Sequence, residues 1–410
     1  MDVDILWSLF VALSGLALLA NLASLAQGLR LRGRVRTALR MAFGGYLPRV
    51  VVVLPVRGLD AGFDDNLRAI LSQAYPSYRL LVVADIPDDP AAVRIRALAR
   101  GFPRVSVVEV LSDPGGMGGK VNALRTGLRH LSPEDEVVVF ADADIRPPKD
   151  WLRQLVQPLA DVTVGASTGF RWYVPQRPAF WSLLRSEWNA VSANVLFDPA
   201  RTYTWGGSTA IRKERIAALD LESRWRDVLS DDLVLTEGLR AARLRIAFAP
   251  AALVATVEDC GRAAAVEWCL RQMTMASLYQ RHLRRYATAA FALFDGSVLL
   301  GLVSVALMPL LSWSFAVPAA LFLFTWPATI VKASLRRRAL FSASPSVAAL
   351  WRPPAWRVWI ATLAVPWLMA WGLLRTRRIT TVRWRGRTYD VRDPRRVRLV
   401  GTTDVSPPSS

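Results

Sequence analysis

The stretch Glu136-Val-Val-Val-Phe140-Ala-Asp142-Ala-Asp144 begins as an apolar run and ends in two carboxylates one residue apart. A short unbroken run of this kind predicts a strand buried on both faces of a sheet. Two carboxylates at a strand's end can both turn towards one cation. Such a cation offsets the charge of a diphosphate and eases the departure of a phosphate. Aspartate is also common in plain solvated turns, so the pair alone leaves both readings open. The apolar run before it, and Pro147, Pro148 and Trp151 after it, favour the first.

Outward from that strand, apolar runs and helical patterns alternate. Residues 49–54 read as a strand ended by Pro55, 64–73 as a helix, 78–84 as a strand, 91–100 as a helix and 105–110 as a third strand. A glycine-rich loop enters a helix at 120–131, and 136–141 is the fourth strand. This alternation predicts an α/β domain over 46–285, with a largely parallel sheet covered on both faces. Ligands of such sheets bind beyond the carboxyl ends of the strands. That rule singles out Asp85, with Asp88 and Asp89 nearby, after the second strand, and Asp142 and Asp144 after the fourth.

Ser230-Asp231-Asp232 opens a predicted helix over 233–242. The pattern is that of an N-cap with an acidic first turn. A carboxylate fixed there can also take a proton from an acceptor hydroxyl. Gly115-Gly-Met-Gly-Gly-Lys120 fails as a P-loop, because Pro114 stands where the first glycine belongs and Val121 replaces the required Ser or Thr. It still precedes a helix, so its amides and Lys120 can face an anion.

The flanks are apolar. Residues 5–29 carry no charge and are long enough to span a bilayer. Arginines follow them rather than precede them, which predicts a retained anchor (1–30) with the N-terminus outside. Residues 296–331 are uncharged and too long for one span; two helices, 288–309 and 312–331, would cross out and back. Residues 358–374 are short, contain Pro366 and sit among Trp351, Trp356, Trp359, Trp367 and Trp371. They are expected to be interfacial or re-entrant, completing a 288–375 membrane region. Residues 376–410 then form a basic cytoplasmic tail, solvated near anionic lipid.

The net charge is +19 across 410 residues, with 52 Lys and Arg. Nucleic acid is not the expected partner, because the densest basic runs flank the apolar stretches, as membrane topology requires. Cys260 and Cys269 are the only cysteines and His130 and His282 the only histidines. A resident metal must therefore be held by carboxylates, which suits Mg²⁺ or Mn²⁺. The Arg and Ala content points to a GC-rich bacterial genome.

In order along the chain stand Pro55-Val-Arg-Gly58, Asp85 with Asp88-Asp89-Pro90, Gly119-Lys-Val-Asn122, Ala141-Asp-Ala-Asp144, Gly206-Gly207-Ser208 and Ser230-Asp231-Asp232. This series resembles the family 2 inverting glycosyltransferases, closest to the ceramide glucosyltransferase-like and hopanoid-type lipid glycosyltransferase branch. Val382-Arg-Trp-Arg-Gly-Arg387 with Tyr389 is similar to that branch's C-terminal signature. The resemblance implies a Rossmann-like nucleotide-diphospho-sugar transferase domain, a UDP-linked donor such as UDP-glucose, and a lipid acceptor. It implies that Asp85 lies near the nucleotide base, with Lys120 and Asn122 around the nucleotide. Asp142 and Asp144 would bind donor and metal, Asp144 above all. Asp231 would bind substrate, and Asp232 would be the general base. Gly206 and Gly207 would line the acceptor side. The family's Gln/Arg-x-x-Arg-Trp element is incomplete here: Arg271 and Gln272 supply its start, but no Arg-Trp follows. That departure favours single transfer over a processive polysaccharide synthase, which also needs more membrane helices. A non-catalytic scaffold would have no use for Asp142, Asp144 and Asp232 together.

Overall fold

The computed structural model describes residues 2–41, 45–86, 88–100, 102–110 and 116–402. Helix α1 (Val3–Arg40) carries the first apolar segment and continues through the arginines behind it. Strands β1 (Val50–Val56), β2 (Tyr78–Ala84), β3 (Val105–Glu109) and β4 (Val137–Ala141) then alternate with α2 (Phe63–Leu71), α3 (Pro90–Leu98) and α4 (Gly119–Arg129). The ladders β1–β2, β1–β4 and β2–β3 are parallel. β1 runs through Pro55, past Val53↔Phe140 where its pairing with β4 stops.

The unbroken valines of β1 follow from its central place. Val50 and Val52 enter one core with Leu67, Ile95 and Leu155. Val51 and Val53 enter the opposite core with Leu124 and Leu235. Each fully buried valine contributes about 1.5–3 kcal/mol, and a strand buried on both faces has no position left for a polar side chain.

The second half departs from the parallel expectation. After α5 (Trp151–Val156) come β5 (Val164–Val174), α6 (Phe180–Val191), β6 (Ser208–Arg212), α7 (Lys213–Ala218), α8 (Leu221–Arg224), α9 (Asp231–Ala241) and β7 (Arg245–Val257). The sheet order is β3-β2-β1-β4-β6-β5-β7. β6 is antiparallel to both neighbours, whereas β5 and β7 are parallel. The sheet is therefore mixed.

Beyond it lie α10 (Arg262–Tyr279), α11 (Arg281–Leu307), α12 (Ala316–Leu323), α13 (Thr325–Ala343), α14 (Pro345–Leu350) and α15 (Ala355–Arg375). Among the described residues, four helical stretches are long and apolar enough to cross a membrane: Val3–Arg40, Arg281–Leu307, Trp313–Ala343 and Ala355–Arg378. α1 runs parallel to α12–α13. Phe10 packs edge-on against Phe322, Asn21 donates to Thr325, and Lys332 donates to Ser24. The far ends of α1 and α13 share a core with β5 and β7 through Leu31, Val35, Ala339 and Leu340.

α15 is one unbroken helix, which corrects the re-entrant alternative, since a re-entrant segment needs a break in its middle. It lies along the α/β domain: Val358, Ala361, Val365, Met369 and Leu373 pack on Leu183, Leu184 and Trp188 of α6 and on Cys269 and Met273 of α10. Trp356, Trp359, Ile360, Trp367, Trp371 and Leu374 stay exposed on its other side.

Residues 381–402 of the tail are not a plain solvated basic segment. They fold into β8 (Thr381–Trp384), β9 (Arg387–Asp390) and β10 (Arg398–Thr402), an antiparallel sheet of order β10-β9-β8. Val382, Tyr389, Val391 and Val397 are buried in the core that holds Val121 and Leu124. The arginines that masked this alternation face outward or meet acids, as Arg395 meets Glu237.

Candidate active site

The parallel half delivers its carboxylates where the topology requires. Asp142 follows β4, and its amide donates to the carbonyl of Gly207 at 3.4 Å, beside the start of β6. Asp144 lies one residue further, past Ala143.

Two cations sit among these acids. Lys120, in the first turn of α4, places Nζ 2.9 Å from Asp142 and 3.4 Å from Asp231. Burial works against its charge, but Asp142, Asp231 and Asp232 together hold it above the ordinary lysine range. Lys120, expected beside the nucleotide, thus also joins the two carboxylate motifs. Arg171, from the middle of β5, bridges Asp142 (2.5 Å) and Asp144 (2.8 Å). It also donates to the Tyr173 hydroxyl at 2.8 Å and lies 4.8 Å from the Trp205 ring. Here too burial opposes the charge and is outweighed, first by Asp144. Arg171 was missed from the sequence. The signal was an arginine inside the otherwise apolar run Phe170-Arg-Trp-Tyr173.

Asp144 Oδ1 is buried and has no hydrogen-bond partner among the described residues. A buried, unsatisfied carboxylate oxygen is costly, and a hard divalent cation takes such oxygens as ligands. The pair Asp142 and Asp144 therefore fits a metal.

Ser230 caps α9, as its sequence predicted. Asp231 is buried against Lys120. Burial, opposed by Lys120 and reinforced by Asp232 and Asp142, pushes its carboxyl up to about 7. Asp232 is half-buried. Its Oδ1 accepts from Ser230 Oγ (2.6 Å) and the Leu233 amide (2.8 Å), and its Oδ2 from the Gly206 amide (3.2 Å). Gly206 and Gly207 are required by this cluster. A Cβ on Gly206 would strike Asp231 and Lys120, and one on Gly207 would strike Asp142 and the Trp205 ring.

Asp85 ends β2, and its Oδ2 accepts from Arg57 and from Arg387, each at 2.6 Å. Its Oδ1 is buried without a partner among the described residues. Arg387 comes from β9, and neighbouring Tyr389 accepts the Gly119 amide at 3.1 Å. A side chain on Gly119 would strike Arg387 and Asp85. Asn122 is buried on the next turn of α4. Asp89 is a structural residue: it caps α3 through the Ala91 amide and also accepts the Gly58 amide. Pro114 and Gly115 of the glycine-rich loop lie outside the described residues.

Arg271 approaches from α10, 5.9 Å from the Trp384 ring. Burial lowers its pKa, with Arg385 and Arg171 adding to the effect. Gln272 is half-buried on the same helix and makes no side-chain hydrogen bond among the described residues. Arg271 also walls a cleft of about 730 Å³ between α10, α15 and β8. Its lining is mostly apolar and includes Val266, Leu270, Leu368, Trp371 and Val382.

A mixed sheet of this order, with carboxylates gathered beyond β2, β4 and the start of α9, is the frame of a glycosyltransferase domain. More narrowly, the chain belongs to glycosyl transferase family 21, whose model matches residues 12–397. It is 26% identical over 243 residues to a beta-monoglucosyldiacylglycerol synthase of Synechocystis sp., a match covering 58% of this chain and 49% of that protein. It is 24% identical over 162 residues to a ceramide glucosyltransferase of Gibberella zeae, covering 37% of this chain and 31% of that one. The chain thus matches about half or less of these relatives. A mannosyltransferase from Pyrobaculum calidifontis, solved with GDP-Man and Mn²⁺, is similar over 90% of this chain and 97% of its own, at 24% identity and TM-score 0.45.

Proposed function

We propose that the protein moves one hexose from a nucleotide-diphosphate sugar, UDP-linked and of the UDP-glucose type, to a hydroxyl of a membrane lipid, with inversion at the anomeric carbon. The observation that carries this reading is the gathering of Asp142, Asp144 and Asp231 on the cations Lys120 and Arg171, with Asp232 next to Asp231. An apolar cleft beside Arg271 accompanies it and suits a lipid chain. The names of the two curated relatives support a lipid acceptor and a glucosyl donor.

In this reading Asp85 Oδ1 accepts an N–H of the base, while Arg57 and Arg387 fix the carboxylate. Lys120 and Arg271 face the diphosphate, with Asn122 beside it on α4. Asp142 and Asp144 would hold Mg²⁺ or Mn²⁺; when bound, the ion offsets the charge of the departing diphosphate. Asp232 takes the proton of the acceptor hydroxyl. The acceptor oxygen bonds to the anomeric carbon from the face opposite the diphosphate, and the carbon–oxygen bond to phosphate breaks with its electron pair. The Ser230 hydroxyl and the Leu233 and Gly206 amides fix both carboxylate oxygens of Asp232 in place. Gly206 and Gly207 keep side chains away from this point, and Gln272 lies towards the acceptor.

The same reading gives the protein a sidedness in a cell membrane, with N-terminus outside and the α/β domain in the cytoplasm. The tail sheet is docked on that domain, so both occupy one side, and the chain between Tyr279 and Ile379 crosses an even number of times. α11 and α12–α13 supply two crossings. α15, packed along α6 and α10 with its tryptophans outward, then lies in the interface.

The test is nucleotide release by the purified full-length protein in detergent, with Mn²⁺ or Mg²⁺, a panel of nucleotide sugars, and a membrane-lipid extract added or omitted. Metal-dependent release from one donor, increased by lipid, with a mono-glycosylated lipid in the mass spectrum, is the expected result. Long sugar chains would point instead to a processive synthase. Folded protein that releases nothing from any donor would point to a scaffold.

A further inference from the structure

The β8–β9 hairpin turns through Arg385 and Gly386, with φ of 49° and 75°. Positive φ at both central residues is the type I′ arrangement, which favours Asn, Asp or Gly at the first position. An arginine there is held in a backbone conformation that disfavours any side chain. Such outliers persist where the surrounding structure has a use for them.

The two arginines that flank Gly386 are treated differently. The Arg387 side chain is 9% exposed and locked on Asp85. The Arg385 side chain is 45% exposed and, among the described residues, held by one ion pair, 2.6 Å from Asp60 Oδ1. Burial opposes its charge, while Asp60, then Asp144 and Asp142, reinforce it. Its guanidinium thus lies within the field of both proposed metal ligands, on a short turn and open to solvent. The preceding residue, Trp384, meets Arg271.

We propose that this hairpin completes the donor site: Arg385 exchanges Asp60 for the phosphate oxygens of a bound nucleoside diphosphate, and Trp384, set against Arg271, positions the turn over them. Guanidinium forks suit phosphate oxygens by geometry as well as charge. The proposal rests on the nucleotide-diphosphate-sugar reading above.

Binding of nucleoside di- and monophosphates (UDP and GDP against UMP and GMP) to the full-length protein in detergent with Mn²⁺ tests it. Arg385→Ala should weaken the diphosphate by tenfold or more, on the order expected for a lost charged hydrogen bond, and leave the monophosphate of the same base unchanged. Arg385→Lys should recover part of the loss. Asp60→Asn frees the arginine without removing it, so it should keep diphosphate affinity and guards against a folding artefact. Equal diphosphate affinity in wild type and Arg385→Ala would overturn the proposal, as would an equal loss of mono- and diphosphate. Wild-type protein that binds no nucleoside diphosphate would remove the donor reading, and this proposal with it.

Discussion

Two groups of carboxylates flank the site, and they are held in different ways. Asp142, Asp144 and Asp231 are knit together by Lys120 and Arg171, both supplied by the α/β domain itself. Asp85 is held by Arg57 from the domain and Arg387 from the C-terminal sheet. The carboxylates of the proposed reacting end are thus paired within the domain, whereas the carboxylate of the proposed base end is paired with a distant part of the chain. Damage to the first should abolish chemistry or stability, and damage to the second should chiefly weaken binding.

The sharpest division is expected from Asp232→Asn, read as kcat beside nucleotide-sugar affinity. Loss of a general base costs roughly 10²–10⁴ in rate, so turnover should fall to that extent with affinity retained. Unchanged turnover would pass the role to buried Asp231. Lys120→Met should act on the fold as well as the rate. It leaves Asp142 and Asp231 without their common cation, and breaking a buried pair costs about 3–5 kcal/mol. Denaturant unfolding would read the loss, and a variant as stable as wild type would show that Arg171 alone neutralises the cluster.

Arg387→Ala tests the other group. With one of two guanidiniums removed from Asp85, KM for the donor should rise about tenfold, on the scale of one charged hydrogen bond, with kcat little changed. A fall in kcat alone would mean that the two ends are coupled. The smallest effect concerns pH. The Asp231 carboxyl is raised from 3.8 to about 7, so its protonated form is the one the fold favours. It contributes stability that is complete below about pH 4 and lost as pH rises through about 7. Asp231→Asn should flatten that part of a plot of melting temperature against pH.

The same division explains what could be read from the sequence. β1, β2 and β4 are each buried on both faces or nearly so, and such strands spell themselves as apolar runs. Their ends therefore located Asp85, Asp142 and Asp144. The N-cap pattern of Ser230 located Asp231 and Asp232 for an equally local reason. β5 and β6 carry polar residues inside the sheet, Thr168 and Thr209 bonded to the backbone of Trp205 and Arg171 bonded to Asp142 and Asp144, and that breaks the apolar signal. The tail was the hardest case. Val382 and Tyr389 occupy inward strand positions, but Arg383, Arg385 and Arg387 crowd between them and resemble a solvated basic stretch. Nothing local shows that Arg387 and Arg385 pair with Asp85 and Asp60, which lie far earlier in the chain. The resemblance of 382–389 to a family signature flagged the segment without giving it a partner.

The Arg387–Asp85 pair joins positions 302 residues apart. Between them lie every strand of the domain after β2 and the helical hairpin of α11 to α13. During synthesis the ribosome makes Asp85 early and Arg387 only after α11 to α13. If Asp85 needs both guanidiniums to receive a nucleotide, the nascent chain cannot engage donor until those helices have been made. On the proposed reading, donor binding then waits until the chain has been synthesised through its C-terminal sheet.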